Sequence, residues 1–336
     1  MYDKNERSPK EIATPPMLYC LKQLPTKVFA LRQLPSKISW GMDLLEIPSY
    51  WEKTKGEGIR VAVLDTAIAR EHPNLKQAVA AVVDYTDENN TGLGCKAHGT
   101  HCAGIIAGRS TDDVLIGIAP EASIYSAQVV DSQERCAVEA FVKGIQWAIQ
   151  KQVHIISISL ACNTQDDRMQ EAINEAIEAS IFVIAAVGNQ GTACEDVGFP
   201  AQYKGVIAVG AVDQYLCLAE YSSRGPSVDL VAPGQAILST YPPNAFATMD
   251  GTSTAAPFVA GLLALCLCLY LKRLKVKHLN ELGSTPSEYY KALKKHLLES
   301  TIELGKLGKD IRYGRGLLDP QQLLAESKIK KIINSI

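Results

Sequence analysis

From Gly58 onward, short runs rich in Val, Ile and Ala recur at residues 59–64, 123–130, 154–160, 181–187 and 206–212. Runs that are apolar throughout, rather than alternating, predict strands buried on both faces, as in parallel sheets covered by helices. Between them lie helix candidates at 99–108, 136–151 and 166–179, the last two opening on polar or acidic turns. This alternation predicts one α/β unit with a mostly parallel central sheet and helices on both faces. Right-handed crossovers would bring every strand's C-terminal end to one side, where reactive side chains are expected to gather.

Residues 255–271 form the longest apolar run, interrupted by Pro257 and Gly261. It falls short of the ~20 residues that cross a bilayer, so a buried helix is expected and a membrane partner is not. The basic stretch Lys272-Arg273-Leu274-Lys275-Val276-Lys277-His278 follows, as a solvated helix end whose cations complement the helix dipole. Another helix candidate covers 287–299. At the other end, prolines at 9, 15, 16, 25 and 35 leave no helical or strand period, so residues 1–37 read as an extended N-terminal extension. The globular unit is expected over 38–322, with a C-terminal tail at 323–336.

Composition narrows the function classes. With 34 Lys+Arg against 36 Asp+Glu, no overall field draws the chain to nucleic acid. The nine cysteines are an odd number without paired spacings, which points to free thiols and a reducing compartment. The opening residues MYDKNERSPKEIATPP have no apolar core of the kind an export signal needs, so a cytoplasmic protein is expected.

Three segments place a reactive side chain at a junction with a helix or strand. The run Val61-Ala62-Val63-Leu64-Asp65-Thr66 ends in a carboxylate. In His98-Gly99-Thr100-His101-Cys102-Ala103-Gly104, small residues let a helix start close behind His98. In Asp250-Gly251-Thr252-Ser253-Thr254-Ala255-Ala256-Pro257, Ser253 falls at a helix start, with Pro257 expected in the first turn, where its missing N–H is harmless. Asp65, His98 and Ser253 are the three parts of nucleophilic acyl transfer: a hydroxyl attacks, an imidazole takes its proton and a carboxylate holds the imidazole. Zinc ligation by Cys95, His98, His101 and Cys102 is the competing reading of the second segment, but it leaves Asp65 and Ser253 unexplained. His101 then reads as a hydrogen-bonded core histidine, and Cys102 as a buried thiol sharing a helix face with His98.

The order Asp, His, Ser, with these flanks, resembles the subtilisin-like serine proteases from about Trp40 to Asp319. The resemblance implies a subtilisin-like three-layer αβα fold and a serine endopeptidase acting on polypeptides with no cofactor needed for the chemistry. It makes Asn189, in Ala185-Ala186-Val187-Gly188-Asn189, the side-chain donor to the oxyanion. It also makes Ser159, Leu160 and Ala161 the strand that pairs with substrate, and Gly198 the floor of the pocket for the residue before the scissile bond. Ala161 and Cys162 stand where glycines are usual, Ala67 replaces a glycine, Thr254 a methionine and Phe258 a histidine. Without that methionine the nucleophile's surroundings should tolerate peroxide, whereas Cys102 beside His98 implies inactivation by mercurials. The metal ligands are left unassigned: structural calcium is common among such relatives, but here Asn74 stands in place of an acid, Arg109 opens the next loop, and Asp112 and Asp113 are the remaining oxygen donors.

Among these proteases the chain is most similar to the intracellular subtilisins, which implies a cytoplasmic enzyme, a homodimer, and an N-terminal extension lying across the active site. Counting back from Pro48 places the inhibitory motif at Leu24 and Pro25. A proline there would withhold an N–H from strand pairing and keep the bond out of line. Two alternatives stand beside general protein turnover: a protease dedicated to one leader peptide, and an inactive regulatory homologue.

Overall fold

A computed structural model of the chain describes residues 17–20, 25–30, 34, 37–86, 96–110, 117–192, 197–283 and 286–336. Its centre is a nine-stranded sheet. In chain order the strands are β3 (Arg60–Asp65), β4 (Val79–Asp84), β5 (Ser123–Gln128), β7 (Ile155–Ile158), β9 (Phe182–Ala186), β10 (Ile207–Val212), β11 (Leu230–Pro233), β14 (Thr301–Ile302) and β15 (Leu317–Leu318). Across the sheet they run β14-β15-β11-β10-β9-β7-β3-β5-β4, all parallel except the β14–β15 pair. Four of the five predicted apolar runs contain one of these strands, and the first, 59–64, covers all of β3 but Asp65. β4 was not foreseen: its partly buried Val79-Ala80-Ala81-Val82-Val83-Asp84 lies at the sheet edge, so it lacks the fully buried signature of the central strands.

Helices cover both faces. α3 (Val138–Gln150) and α4 (Asp167–Glu178) lie together on one side, their apolar stripes, including Phe141, Ile145, Met169 and Ile173, against the sheet. α4 begins where Asp166 accepts a hydrogen bond from the Arg168 N–H, the cap that its sequence calls for. On the other side lie α2 (Ala97–Ala107) and α5 (Thr252–Leu274), with α6 (Pro286–Glu299) beyond them. α5 is long and apolar enough to cross a membrane, yet 94% of its most apolar window is buried inside the protein. It is the axis of the larger hydrophobic core. α1 (Trp40–Leu44) leads into the domain. After α7 (Pro320–Leu323), the stretch read as a tail forms α8 (Glu326–Ile333), which buries Ile329 against the core.

Two small sheets lie outside this frame, and both include the N-terminal extension. β1 (Met17–Cys20) runs antiparallel between β6 (Arg135–Ala137) and β8 (Leu160–Ala161). β2 (Lys27–Phe29) adds to the hairpin of β12 (Ile237–Tyr241) and β13 (Ala245–Met249). The extension has little strand pattern of its own because in each case the edge it joins supplies the pairing.

Candidate active site

Asp65 is the last residue of β3, and its carboxylate is fully buried. One oxygen accepts from the Thr66 N–H at 2.6 Å, which fixes the carboxylate while both oxygens face His98 Nδ1 at 2.8 and 2.9 Å. His98 stands in the first turn of α2. The helix can start this close to the strand end because residue 99 is glycine: a Cβ there would lie 2.4 Å from the Thr66 carbonyl oxygen. Thr66 Oγ1 accepts from the Gly99 N–H at 2.8 Å and closes the junction. An imidazole whose Nδ1 proton is held by a buried carboxylate has its Nε2 available as a base.

Ser253 lies in the first turn of α5 and is fully buried. Pro257 is in the second turn rather than the first, and so deprives the Ser253 carbonyl of the N–H that would normally bond it. Two side chains replace that bond: Ser159 Oγ donates at 3.0 Å and Cys102 Sγ at 3.4 Å. Cys102 is also 3.9 Å from His98 Nδ1, so a single thiol touches the segments carrying both reactive groups. Burial raises the pKa of Cys102, and this outweighs the nearby imidazole, so the thiol stays protonated and acts as a donor. Thr254 Oγ1 donates to the Gly234 and Gly251 carbonyls at 2.8 Å each, filling with a hydroxyl the place beside the serine.

Asn189 follows Gly188, whose φ of +105° turns the chain as it leaves β9. Its Oδ1 accepts from Thr252 N at 3.0 Å and Thr252 Oγ1 at 2.8 Å. The amide is thereby fixed with its oxygen occupied, while Nδ2 is buried and makes no hydrogen bond to the described residues. Such an orphaned donor normally costs free energy, and it marks a place built to receive an acceptor.

Ser159 precedes β8, and Leu160 and Ala161 form it, pairing with Cys20 and Tyr19 of β1. Gly198 faces them: a Cβ at 198 would lie 3.0 Å from the Ala161 methyl and 3.2 Å from the Cys162 carbonyl oxygen. The methyl of Ala161 therefore narrows the gap above Gly198. Leu18 of β1 is fully buried in the apolar cluster that contains Cys136, Val138 and Leu160. Leu24 lies outside the described residues. Pro25 immediately precedes Thr26, whose N–H and hydroxyl both donate to the Thr248 carbonyl of β13. The extension residues along the β8 strand are thus Met17–Cys20, with Pro25 on the hairpin side. Nothing in the local pattern of 17–20 marks that register.

The zinc alternative is not supported by His101, whose Nε2 faces the Ile237 and Ala247 carbonyls at 3.0 and 3.1 Å. Burial depresses its pKa to about 3, so the ring is neutral and donates to both. Cys95, Asp112 and Asp113 lie outside the described residues. At the calcium candidate, Asn74 Nδ2 donates to the Arg109 carbonyl at 2.6 Å.

These side chains lie where the C-terminal ends of β3, β7 and β9 meet the N-termini of α2 and α5. The profile of the subtilase family matches residues 56–316. The chain belongs to the subtilase family. It is similar to an intracellular serine protease of Paenibacillus polymyxa, at 34% identity over 93% of both chains. It is also similar to the major intracellular serine protease of Bacillus subtilis (37%, covering 67% of this chain and 73% of the relative) and to subtilisin DY of Bacillus licheniformis (35%, covering 79% and 90%). This subtilase is a serine endopeptidase with polypeptide substrates.

Proposed function

We propose that this subtilase is an intracellular endopeptidase that cleaves unfolded polypeptides through Ser253, and that its own N-terminal extension keeps it inactive. In this reading Ser253 Oγ attacks the substrate carbonyl and passes its proton to His98 Nε2, while Asp65 holds Nδ1–H and stabilises the imidazolium. The carbonyl oxygen becomes an oxyanion and accepts from Asn189 Nδ2 and the Ser253 N–H at the positive end of α5. His98 then gives its proton to the leaving amine, and water, activated by the same imidazole, releases the acyl group. Support for the intracellular setting comes from the names of two similar proteases.

One observation carries the inhibitory role: β1 fills the strand position between β6 and β8, with Leu18 buried. An extended substrate that adds a strand to β8 needs the same main-chain groups. The register supports a crossing at the reactive centre, because Cys20 pairs with Leu160, next to the Ser159 whose hydroxyl holds the Ser253 carbonyl. The test compares hydrolysis of an unfolded protein by the full chain and by a form beginning at Pro25, with Ser253→Ala as control. A large gain in the shortened form supports inhibition, and equal rates refute it. A second reading, a protease dedicated to one leader peptide, is favoured by the Ala161 methyl above Gly198. It requires cleavage of short sequences with a small residue before the scissile bond and little turnover of unfolded protein.

A further inference from the structure

The extension has two strands with different surroundings, and the second does not lie on the substrate strand at all. β2 pairs Phe29 with Phe246, Val28 with Ala247 and Lys27 with Thr248. Phe29 is buried against Phe246 and Leu238, with Leu34 alongside. The far side of the same hairpin is bound to α2. His101 Nε2 donates to the Ile237 and Ala247 carbonyls, and Ser239 and Thr240 hydroxyls donate to the His101 and Thr100 carbonyls at 2.7 and 2.8 Å. The contact is close enough that a Cβ at Gly104 would lie 2.2 Å from Thr240 Oγ1. His98 is on this helix, three residues from His101. β2 therefore backs β13, and the β12–β13 hairpin, through three bonds from β12 and one from β13, holds the helix that carries His98.

We propose that Lys27–Phe29 is a positioning strand of the active enzyme, and that only the chain ahead of Pro25 is inhibitory. This rests on reading β1 as the inhibitory segment, and it assigns the extension two opposite effects. A strand lost from the edge of a two-stranded hairpin bares Phe246 and Leu238 and leaves β13 unpaired on one side. Small displacements of a base from its nucleophile lower kcat steeply, on the order of a hundredfold for about 1 Å.

The experiment uses three forms, the full chain, one beginning at Pro25 and one beginning at Lys37, assayed on a short chromogenic peptide. Active sites are counted with an organophosphorus probe, so that kcat is expressed per competent Ser253. The form beginning at Lys37 should have a kcat at least about tenfold below the form beginning at Pro25, with KM for the short peptide little changed. A synthetic peptide covering residues 25–36 should restore it. Within the form beginning at Pro25, Phe29→Ala should lower kcat in the same way and Phe29→Leu should recover most of it. A purely structural role would instead reduce the number of titrated sites and leave kcat per site unchanged, and that result would overturn the proposal, as would equal kcat in the two shortened forms. If the full chain is as active as the form beginning at Pro25 while the form beginning at Lys37 is impaired, inhibition by β1 fails and the positioning role of β2 stands.

Discussion

At the scale of single residues, the site is a set of hydrogen bonds that fix the orientation of each side chain. Asn189 spends its oxygen on Thr252 and keeps its buried Nδ2. Asn189→Ala should lower kcat by about 10²–10³ with KM nearly unchanged, because the donor is used only when negative charge develops. Steady-state kinetics on a chromogenic peptide would show the split. Cys102 and Ser159 support the Ser253 carbonyl that Pro257 leaves without its helical bond. Cys102→Ala should retain most activity, since Ser159 remains, and should abolish inactivation by mercurials. If mercurials still inactivate that variant, the sensitive thiol is elsewhere. From the sequence, Asp65 stands out because it ends an apolar run, His98 and Ser253 because small residues flank them at expected helix starts, and Asn189 only through the resemblance to the subtilisin-like proteases. The Ser253 carbonyl and its two donors were not legible, since residues 102, 159 and 253 meet only through the fold.

At the scale of elements, legibility followed burial. Strands covered on both faces, such as 182–186 and 207–212, announce themselves as continuous apolar runs. The β12–β13 hairpin does not, because Ser239, Thr240 and Thr248 sit within it and bond to α2 or to Thr26. β1 and β2 were hidden for a different reason, since three or four residues among prolines acquire strand form only from a partner edge. The burial of Leu18 gives that pairing a handle. In the full chain, Leu18→Asp would place a charge in an apolar cluster, costing several kcal/mol unless the strand leaves. The expected outcome is release of β1 and a rise in hydrolysis without any truncation; unchanged low activity would mean that Leu18 does not anchor the inhibited state.

At the scale of the whole molecule, buried histidines set the response to acid. Burial depresses the pKa values of His101 and His154 to about 3, and those of His72, His278 and His296 in the same direction. His154 is fixed as a neutral ring, accepting from the Arg60 N–H and donating to the Lys277 carbonyl, and it stacks on His278. The unfolded chain protonates these rings near pH 6.5 and the folded one does not, so the unfolded state binds more protons below that pH. Stability is therefore highest above about pH 6.5 and falls as pH drops toward 3, by about 1.4 kcal/mol per pH unit for each fully depressed ring. Melting temperatures measured from pH 8 to 4 should decline below 6.5, and His154→Gln should flatten the decline. The long buried helix has a consequence for synthesis. α5 carries Ser253, the proposed nucleophile, and is the axis of the larger core, yet it is made only after β7, β9, β10 and β11, which pack on it. A nascent chain still attached to the ribosome before residue 274 has emerged holds most of the sheet with its centre missing, and it cannot yet cut its neighbours. Proteolytic power thus arrives late in translation, after β1, the segment that would restrain it, has already been made.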